Sequence, residues 1–343
     1  MRAGVDLPMA VERRHVTPQS RIQEFLVGLG FDPVGFARAD PLPAEQEQYA
    51  EWIRRRYHGG MKYLETHAKS KFNPTDLLRG AKSVIMVGMN YHQTSPADTV
   101  SAYTKDRGRV AKYAWGRDYH KVVGGRLKRA VKDLESVYPE ESFRSFVDIL
   151  PIAERLYAAR SGIGFLGRNT LLITRKYGSW VFLGGILTTL ELLETAPEPE
   201  VAGMRCPSGC TRCIDACPTD ALYEPHRIDA SKCISYLTIE RKGSDSTEAE
   251  RESETHSGEW LFGCDVCQQV CPFNLKPEDT GESDFTDWIA GPRISIDEIE
   301  NSTASRELFV DRFAGSPVMR AGPGGMRRNA RVVARNFQSK SEP

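Results

Sequence analysis

The eight cysteines of this chain all lie between positions 206 and 271. Cys217 and Cys271 are each followed by proline, and each closes a C-x2-C-x3-C-P segment typical of bacterial ferredoxins. In a two-cluster ferredoxin, the fourth cysteine of each run ligates the other cluster. This rule sorts all eight residues into ligands of two 4Fe-4S clusters: Cys206, Cys210, Cys213 and Cys271 for the first, and Cys217, Cys233, Cys264 and Cys267 for the second.

Clustered cysteines have two other common uses, disulfides and zinc sites. Disulfides form in oxidising compartments, whereas the N-terminus here lacks the apolar core of a secretion signal, so we expect a cytoplasmic protein. Zinc sites favour two separated C-x2-C pairs rather than three close cysteines followed by C-P. Clusters are therefore the preferred interpretation, and zinc is the remaining alternative.

The first cysteine gap departs from the ferredoxin pattern by one residue. Cys206-Pro-Ser-Gly-Cys210 holds three residues where the bacterial run has two. We expect Pro-Ser-Gly to bulge outward, because glycine accepts backbone conformations that strain other residues. Cys206 would then return to the corner of the cluster that the shorter gap reaches.

The residues before the cysteines read as a layered domain of strands and helices. Residues 83–91 form an apolar run typical of a buried strand, 119–138 have a helical period, and 143–148 form a strand that ends in Asp148. A helix follows from 152, and 171–174 and 180–189 have strand character. Strands that alternate with helices predict an α/β (α+β) layer domain.

The chain therefore divides into four predicted parts. Residues 1–17 are a flexible tail, 18–195 the layer domain, 196–280 a ferredoxin-like two-cluster domain, and 281–343 a short helical C-terminal segment. Residues 195–199 carry two prolines and are predicted to be a linker, and 242–258 are a polar, low-complexity insertion. Residues 326–337 predict one helix near the C-terminus.

Composition excludes a membrane span, since no run approaches eighteen apolar residues. Lys plus Arg and Asp plus Glu both total 46, so overall charge predicts no nucleic-acid partner. The charge is unevenly placed, because residues 105–132 carry ten Lys and Arg against two Asp. A patch of one sign attracts a polyanion, although a solvated helix face explains it equally simply.

Asp148 is the first candidate for catalysis. A carboxyl group at the end of a strand acts as a general acid when it is partly buried, and a helix N-cap or a solvated strand end is an equal alternative. The string Gly162-x-Gly164-x-x-Gly167 matches a dinucleotide fingerprint, but it follows a helix rather than a strand, so this interpretation is weak.

Several longer stretches are similar to one known family. They are 60–65 (GMKYLE), 77–84 (LLRGAKSV), 89–92 (MNYH), 113–120 (YAWGRDYH), 146–155 (FVDILPIAER), 232–240 (KCISYLTIE) and 262–272 (FGCDVCQQVCP). Together they resemble the epoxyqueuosine reductases, from about residue 18 to 336. The resemblance implies an oxidoreductase that uses cobalamin, reduced to Co(I) through two 4Fe-4S clusters, to convert epoxyqueuosine to queuosine at the wobble position of tRNA.

The resemblance also implies roles for individual residues. Asp148 corresponds to the family's proposed proton donor, and the protein supplies orientation and protons while the cofactor supplies the difficult chemistry. Cobalamin would lie between the layer domain and the ferredoxin-like domain. Its expected neighbours are Asp148 and the backbone around Leu172, Leu183, Ser235, Asp265 and Val266.

The expected macromolecular partner is the tRNA anticodon loop, held through its phosphates. The predicted contacts are Arg107, Arg109, Lys112, Arg117 and Lys121. His120 either contacts substrate or cobalamin or is a buried, satisfied histidine. We also expect a reductant protein or small-molecule electron donor, no membrane contact and a monomer.

Two rival functions remain open at this point. A reductive dehalogenase-like corrinoid enzyme shares the cobalamin and two-cluster plan, and an iron–sulfur electron carrier without an RNA substrate would leave Asp148 without a role. Many family members continue into HEAT-like helical repeats, which need several units to bury a core. The truncated segment 281–343 therefore predicts reduced tRNA contact from this end.

Overall fold

The computed structural model describes residues 17–94, 106–195, 203–243 and 247–339. The strands are β1 (Val34–Arg38), β2 (Ser83–Asn90), β3 (Arg107–Val110), β4 (Phe143–Phe146), β5 (Phe165–Leu166), β6 (Leu172–Ile173), β7 (Val181–Thr188), β8 (Leu222–Glu224), β9 (Arg227–Ile228), β10 (Trp260–Phe262) and β11 (Arg293–Ser295). The α-helices are α1 (Pro18–Gly28), α2 (Pro43–Arg54), α3 (Lys62–Thr66), α4 (Tyr119–Val137), α5 (Glu154–Arg160), α6 (Arg212–Asp215), α7 (Glu248–His256), α8 (Val266–Gln269), α9 (Ser283–Thr286), α10 (Ile296–Ser302), α11 (Arg306–Phe313) and α12 (Gly322–Ser339).

Shorter helical turns connect these elements. The 3-10 turns are Ser70–Phe72, Pro74–Asp76, Lys112–Ala114, Ala230–Lys232, Pro272–Asn274 and Pro317–Arg320, and Tyr236–Glu240 is a π-helix. Within the part of the chain that the structure describes, no helix has the length and apolar character to cross a bilayer.

A four-stranded sheet with the order β1-β2-β7-β4 forms the centre of the first part, and every pair in it is antiparallel. Successive side chains of β2 enter different cores: Ile85 and Val87 pack in one, and Val84 and Met86 in the other. Burial on both faces explains why the whole run is apolar. The alternation of strands and helices thus belongs to an α+β layer rather than a parallel sheet.

The predicted boundaries around Asp148 needed correction. Strand β4 ends at Phe146, two residues before Asp148, and α5 begins at Glu154 rather than at 152. The N-cap of α5 is Ala153, so the alternative in which Asp148 caps this helix was wrong. Asp148 instead lies in a loop with φ of 52°, a left-handed conformation that is uncommon for a residue other than glycine.

The polar stretch 242–258 contains α7, which its low-complexity composition did not predict. Thr247 and Glu250 form a reciprocal capping box at its first turn, which satisfies two N–H groups that a helix start leaves open. Glu254 forms a buried ion pair with Arg241, 2.6 Å between nitrogen and oxygen. The predicted linker falls largely within 196–202 and the tail within 1–16, outside the described residues.

The C-terminal residues pack against both earlier parts of the chain. Strand β3 pairs in parallel with β10 and antiparallel with β11, which joins residues 107–110, 260–262 and 293–295 in one sheet. Phe309, Phe313, Met326 and Val333 complete the core below this sheet. The helix predicted at 326–337 is the middle of α12.

Candidate active site

The cysteine thiols form two groups on the short helices and turns that follow the layer domain. Cys213 interacts electrostatically with Cys206, Cys210 and Cys271, and the same four residues line one small cavity. Cys267 interacts in the same way with Cys217, Cys233 and Cys264. The two groups have the same members as the two predicted ligand sets. Helices α6 and α8 each contain one cysteine of a C-x2-C pair, and the two helices contact each other. Cysteines from both ends of the segment 206–271 therefore lie close together.

The extra residue near Cys206 is accommodated in a tight turn. Gly209 has φ of 68°, and the N–H of Cys210 donates to the carbonyl of Pro207 at 3.1 Å. Arg168 closes the turn from the layer domain, because its backbone N–H donates to Cys206 Sγ at 3.3 Å. The loop therefore bulges while its first thiol stays within the first group.

The glycine-rich stretch before Arg168 is a packing feature. It forms the β5–β6 hairpin, in which a Cβ at Gly164 would lie 2.5 Å from the carbonyl oxygen of Ile173. A Cβ at Gly167 would lie 2.5 Å from Ile173 Cδ1 and 2.6 Å from Asn169 Oδ1. These glycines allow two strands to approach closely, and they carry Arg168 and Asn169 to the cysteines.

A cleft of about 830 Å³ opens between the layer domain and the region of β8 and β9. Its wall on the sheet side is apolar and aromatic, and includes Tyr91, Phe182 and Leu183. Its charged lining residues form two sets: Lys71, Asp148, Glu154 and Arg155 around the loop before α5, and Glu45, Glu51, Arg55 and Arg227 on and near α2 and β9. Large apolar clefts with a few convergent polar groups are the usual form of cofactor and substrate sites.

The Asp148 carboxylate is anchored by the start of α4. Tyr119 Oη donates to Asp148 Oδ2 at 3.1 Å, and His120 Nε2 lies 3.2 Å from the same oxygen. Asp118 is the N-cap of α4 and accepts from the backbone N–H of His120, while its Oδ1 lies 2.8 Å from His120 Nδ1. The ring of Tyr119 stacks on Phe182 at 4.4 Å, which fixes its direction.

Glu154 holds the other side of the Asp148 loop. Its Oε1 accepts the backbone N–H of Asp148 at 2.6 Å. Helix α4 therefore holds the loop through the side chain of Asp148, and α5 holds it through the backbone N–H of Asp148. Ile149, the next residue, is exposed.

The charges of this cluster are strongly coupled. Desolvation lowers the pKa of His120, but hydrogen bonds and attraction from Asp118 and Asp148 outweigh it and raise the pKa to about 9. Desolvation raises the pKa of Asp148, whose side chain is 65% exposed, but His120 and then Tyr119 outweigh it and lower the pKa. At neutral pH the pair is therefore an imidazolium and a carboxylate.

The pKa of Glu154 is shifted in the opposite direction to that of Asp148. Desolvation, and then the negative charge of Asp148, raise the pKa of Glu154 to about 8. Glu154 thus holds a proton at neutral pH, beside a carboxylate that does not. Two neighbouring carboxyl groups with separated pKa values are a typical acid–base arrangement.

The predicted cobalamin neighbours occupy different positions around this cleft. Leu183 lines it, as does Leu171, while Leu172 is buried in the core beneath. Ser235, Asp265 and Val266 lie with the second cysteine group: the backbone N–H groups of Ser235 and Val266 hydrogen-bond to Cys233 and Cys264. The Asp265 carboxylate is buried and accepts the backbone N–H of Lys112 at 2.7 Å.

The predicted RNA contacts are more scattered than their spacing suggests. Lys112 is 5% exposed, its ammonium donates to the carbonyl of Gln93 at 2.5 Å, and as placed it is not available to a phosphate. The guanidinium of Arg109 lies over the ring of Trp260, 4.3 Å from its centre. Arg107 donates to the carbonyl of Arg293, and Arg117 pairs with Asp284 at 2.9 Å. Lys121 is exposed on α4.

Sequence reasoning missed the roles of Tyr119 and Glu154. Both lie inside the family-like stretches 113–120 and 146–155, so their presence was visible but their contacts were not. Their approach to Asp148 depends on a sheet that sets α4 and α5 on opposite faces. His120 is neither free nor fully buried, since it bridges two carboxylates.

Comparison with known proteins identifies the family. A family model described as "Epoxyqueuosine reductase QueG, DUF1730" matches residues 71–149, and a "4Fe-4S double cluster binding domain" matches residues 205–274. An epoxyqueuosine reductase from Gloeobacter violaceus is 40% identical over 311 residues, which cover 88% of this chain and 91% of the relative. The chain belongs to the epoxyqueuosine reductase family.

Solved structures of the family share the fold. An epoxyqueuosine reductase crystallised with an epoxyqueuosine-modified stem loop of tyrosine tRNA has a TM-score of 0.81 at 26% identity, over 94% of this chain and 82% of that one. The enzyme from Bacillus subtilis, with its catalytic aspartate loop swung out of the active site, has a TM-score of 0.77 at 27% identity, over 94% and 82%. The layer domain, the double-cluster domain and the C-terminal helix of this chain are therefore those of an epoxyqueuosine reductase fold.

Proposed function

We infer that this protein is an oxidoreductase that reduces epoxyqueuosine to queuosine in tRNA. Its membership of the epoxyqueuosine reductase family, at 40% identity over 88% of the chain, carries this conclusion. An electron carrier without an RNA substrate would not explain why the match extends over the layer domain as well as the cysteines. The family match also favours epoxyqueuosine reduction over a dehalogenase-like reaction.

We propose that the cleft beside Asp148 holds cobalamin. The broad apolar wall formed by Leu171, Phe182 and Leu183 suits a large macrocycle, and Asp148 lies on the same cleft. When bound, cobalamin reduced to Co(I) would supply low-potential electrons to the substrate. The residues present therefore fit this cofactor, with Leu183 and Asp148 on the cleft and the backbone near Leu172, Ser235, Asp265 and Val266 as further predicted contacts.

We propose that each cysteine group binds one 4Fe-4S cluster. Four thiols per group match the ligand number of such a cluster, and the matched double-cluster domain, residues 205–274, contains all eight cysteines. Backbone N–H groups that already point at Cys206, Cys233 and Cys264 would stabilise the bound thiolates. The groups would relay electrons from a reductant protein or a small-molecule donor.

Removal of the epoxide oxygen as water takes two electrons and two protons. We propose that Asp148 delivers a proton to this oxygen. Because its own pKa is lowered, Asp148 is a carboxylate at neutral pH and would first receive this proton from His120, whose Nε2 lies 3.2 Å away. Glu154, whose pKa is about 8, stores a further proton on the other side of the loop. A catalytic aspartate loop in the Bacillus subtilis relative supports this assignment.

The proposed partner is the anticodon loop of tRNA, since a relative was crystallised with such a stem loop. Of the predicted phosphate contacts, Lys121 and Arg117 are exposed near the start of α4, the helix whose Tyr119 and His120 contact Asp148, and remain the better candidates. Arg107 and Arg109 lie on β3. We further propose a cytoplasmic monomer.

The direct test uses anaerobically purified protein loaded with iron, sulfide and cobalamin. It is incubated with epoxyqueuosine-containing tRNA and a chemical reductant, and the digested nucleosides are analysed. Queuosine should form in proportion to enzyme and time. Protein that carries clusters but neither binds cobalamin nor forms queuosine would overturn the assignment.

A further inference from the structure

The first cysteine group lies beneath an exposed turn. Pro207, Ser208 and Gly209 separate Cys206 from Cys210; all three are exposed, and the two cysteines are half-buried. A Cβ at Gly209 would meet nothing within 4 Å, so open space lies outside this turn. The residue that lengthens the first cysteine gap therefore belongs to a thin cover between the first group and solvent.

The second group lies on the side of the proposed cobalamin cleft. Cys267 acts electrostatically on Tyr91, and Asp265, its neighbour in the same segment, acts on Tyr113. Both tyrosines line that cleft. Electrons that reach the cleft through both groups therefore enter the protein at the first group and leave from the second.

The charged residues around the first group are mainly positive. Among the residues that the structure describes, the small cavity beside this group is lined by Arg168 and Arg212 and by no acid. The guanidinium of Arg168 donates to the carbonyl of Cys210, which carries no net charge. Arg212 is exposed, and so is Lys276, which follows the turn after Cys271.

Nearby acids offset only part of this positive charge. Asp215 is exposed on α6, and its carboxylate accepts a threonine hydroxyl at 2.7 Å. Glu278 lies 3.5 Å from the ammonium of Lys176, and Asp279 lies 2.9 Å from Nδ1 of His92. A cluster bound by four thiolates itself carries net negative charge. Basic residues beside it therefore allow a second negatively charged body to approach.

Apolar side chains lie among these basic residues. Pro272 and Phe273 line the same small cavity, and the ring of Phe273 packs edge-on against Phe165 with 5.2 Å between the ring centres. Leu275 follows shortly after and is 65% exposed. An apolar patch inside a charged rim is the usual anatomy of a protein interface, and electron-transfer encounters use small ones.

We propose that an acidic protein that donates one electron at a time docks over the first group. This inference rests on the proposed function, because it takes the first group to hold a cluster. Each encounter oxidises the donor by one electron and reduces the enzyme by one, so two encounters supply the two electrons that removal of the epoxide oxygen takes. The docking surface, which we call the donor face, comprises Arg168, Pro207, Arg212, Phe273, Leu275 and Lys276.

The test measures electron entry in the enzyme loaded with clusters and cobalamin, without tRNA. Arg212→Gln, Lys276→Gln and the double variant are compared with a matched control, Arg306→Gln, at an exposed position of α11. Two reduced donors are mixed anaerobically with each protein: a bacterial flavodoxin, which is acidic, and methyl viologen, a small cation. The second-order rate constant of cluster reduction is measured by absorbance from low to high salt, and bound iron is measured for each variant.

The double variant should accept electrons from flavodoxin about tenfold more slowly than the wild type at low salt, because the charge that steers the donor is lost. The difference should vanish at high salt, where exposed charges are screened. Methyl viologen should reduce the variant as fast as the wild type or faster, since removal of positive charge favours a cation. Lys276 lies outside the cysteine segments, so Lys276→Gln alone should show a smaller effect of the same kind even if Arg212→Gln loses iron.

The outcomes separate this inference from the proposed function. A double variant with the flavodoxin rate and salt dependence of the wild type overturns the donor face. An iron-loaded variant that both donors reduce more slowly also overturns it, because these residues would then act on the cluster itself. Weaker binding of epoxyqueuosine-containing tRNA with an unchanged flavodoxin rate overturns it too and assigns the surface to RNA. Wild-type protein that takes electrons from flavodoxin as predicted but forms no queuosine overturns the proposed function and leaves the donor face supported.

Discussion

At the scale of single residues, the candidate site is one carboxylate held by four neighbours. Tyr119 and His120 bind its oxygen, Glu154 binds its backbone N–H, and Asp118 orients His120. Asp148 was visible in the sequence as the acid that ends a predicted strand. Its left-handed backbone and its partners were not visible, because they depend on where α4 and α5 lie on the sheet.

We expect Asp148→Asn to keep both cofactors and to lose turnover by roughly 10² to 10⁴, the usual contribution of a positioned acid. The amide has a similar shape, so cluster and cobalamin absorbance should be unchanged. Asp133→Asn, at an exposed position of α4, is the control. Normal queuosine formation by Asp148→Asn would remove this residue as the acid.

The His120 ion pairs predict a pH-dependent stability. The pKa of His120 is raised from 6.5 to about 9 in the folded protein, so its contribution is fully present below pH 6.5 and is lost as the pH rises through 9. Urea unfolding of wild type and His120→Gln should therefore differ most near pH 6 and converge near pH 10. A difference that stays constant over this range would contradict the assigned charge state.

At the scale of elements, the loop between β4 and α5 decides whether Asp148 faces the cleft. Glu154 Oε1 accepts the N–H of Asp148, so α5 holds this loop. A relative has been observed with its catalytic aspartate loop swung out. The presence of this loop between two regular elements could be predicted, while the hydrogen bond that closes it could not.

Glu154→Ala should release the loop, whereas Glu154→Gln keeps an oxygen acceptor at the same position. We expect hydrogen exchange at the Asp148 amide to accelerate in Glu154→Ala and to stay slow in Glu154→Gln. Turnover should fall in the alanine variant because Asp148 is less often in place. Equal amide protection in the two variants would show that Glu154 does not hold the loop.

The β5–β6 hairpin offers a second element-scale test. Gly164→Ala places a methyl group 2.5 Å from a backbone oxygen that cannot move freely, so we expect a loss of roughly 1 to 3 kcal/mol in the free energy of unfolding. Gly125→Ala, in α4, meets nothing within 4 Å and should stabilise by about 0.5 to 1 kcal/mol. Urea unfolding measures both. Similar effects of the two substitutions would contradict the close packing.

The regular elements with strong periodicity were largely predictable. The run at 83–91 became β2 and 119–138 became α4, because burial on one or both faces leaves a clear apolar pattern. Helix α7 could not be predicted, because its many charged residues give little apolar periodicity. A capping box and an ion pair stabilise this helix instead. Strands β3, β10 and β11 were hidden because each is short and pairs with residues far along the chain.

At the scale of the whole molecule, the layer domain and the cysteine-containing segment contact each other at two places. Residues 164–169 connect the layer domain to the first cysteine group, and Asp265 connects the second group to Lys112. The C-terminal residues, weakly patterned in sequence, complete the core beneath β3 and β10. The predicted boundaries at 195 and 280 thus mark changes of composition, while the packing runs across them.

The central claim is that this chain converts epoxyqueuosine to queuosine in tRNA through Asp148. The most direct measurement expresses the chain, or its Asp148→Asn variant, in bacteria that lack their own epoxyqueuosine reductase and analyses the nucleosides of their tRNA. The cell supplies cobalamin, clusters and an electron donor. The account predicts queuosine with the wild-type chain and epoxyqueuosine with the variant. Epoxyqueuosine alone in cells that contain the folded, cofactor-loaded wild-type protein would contradict it.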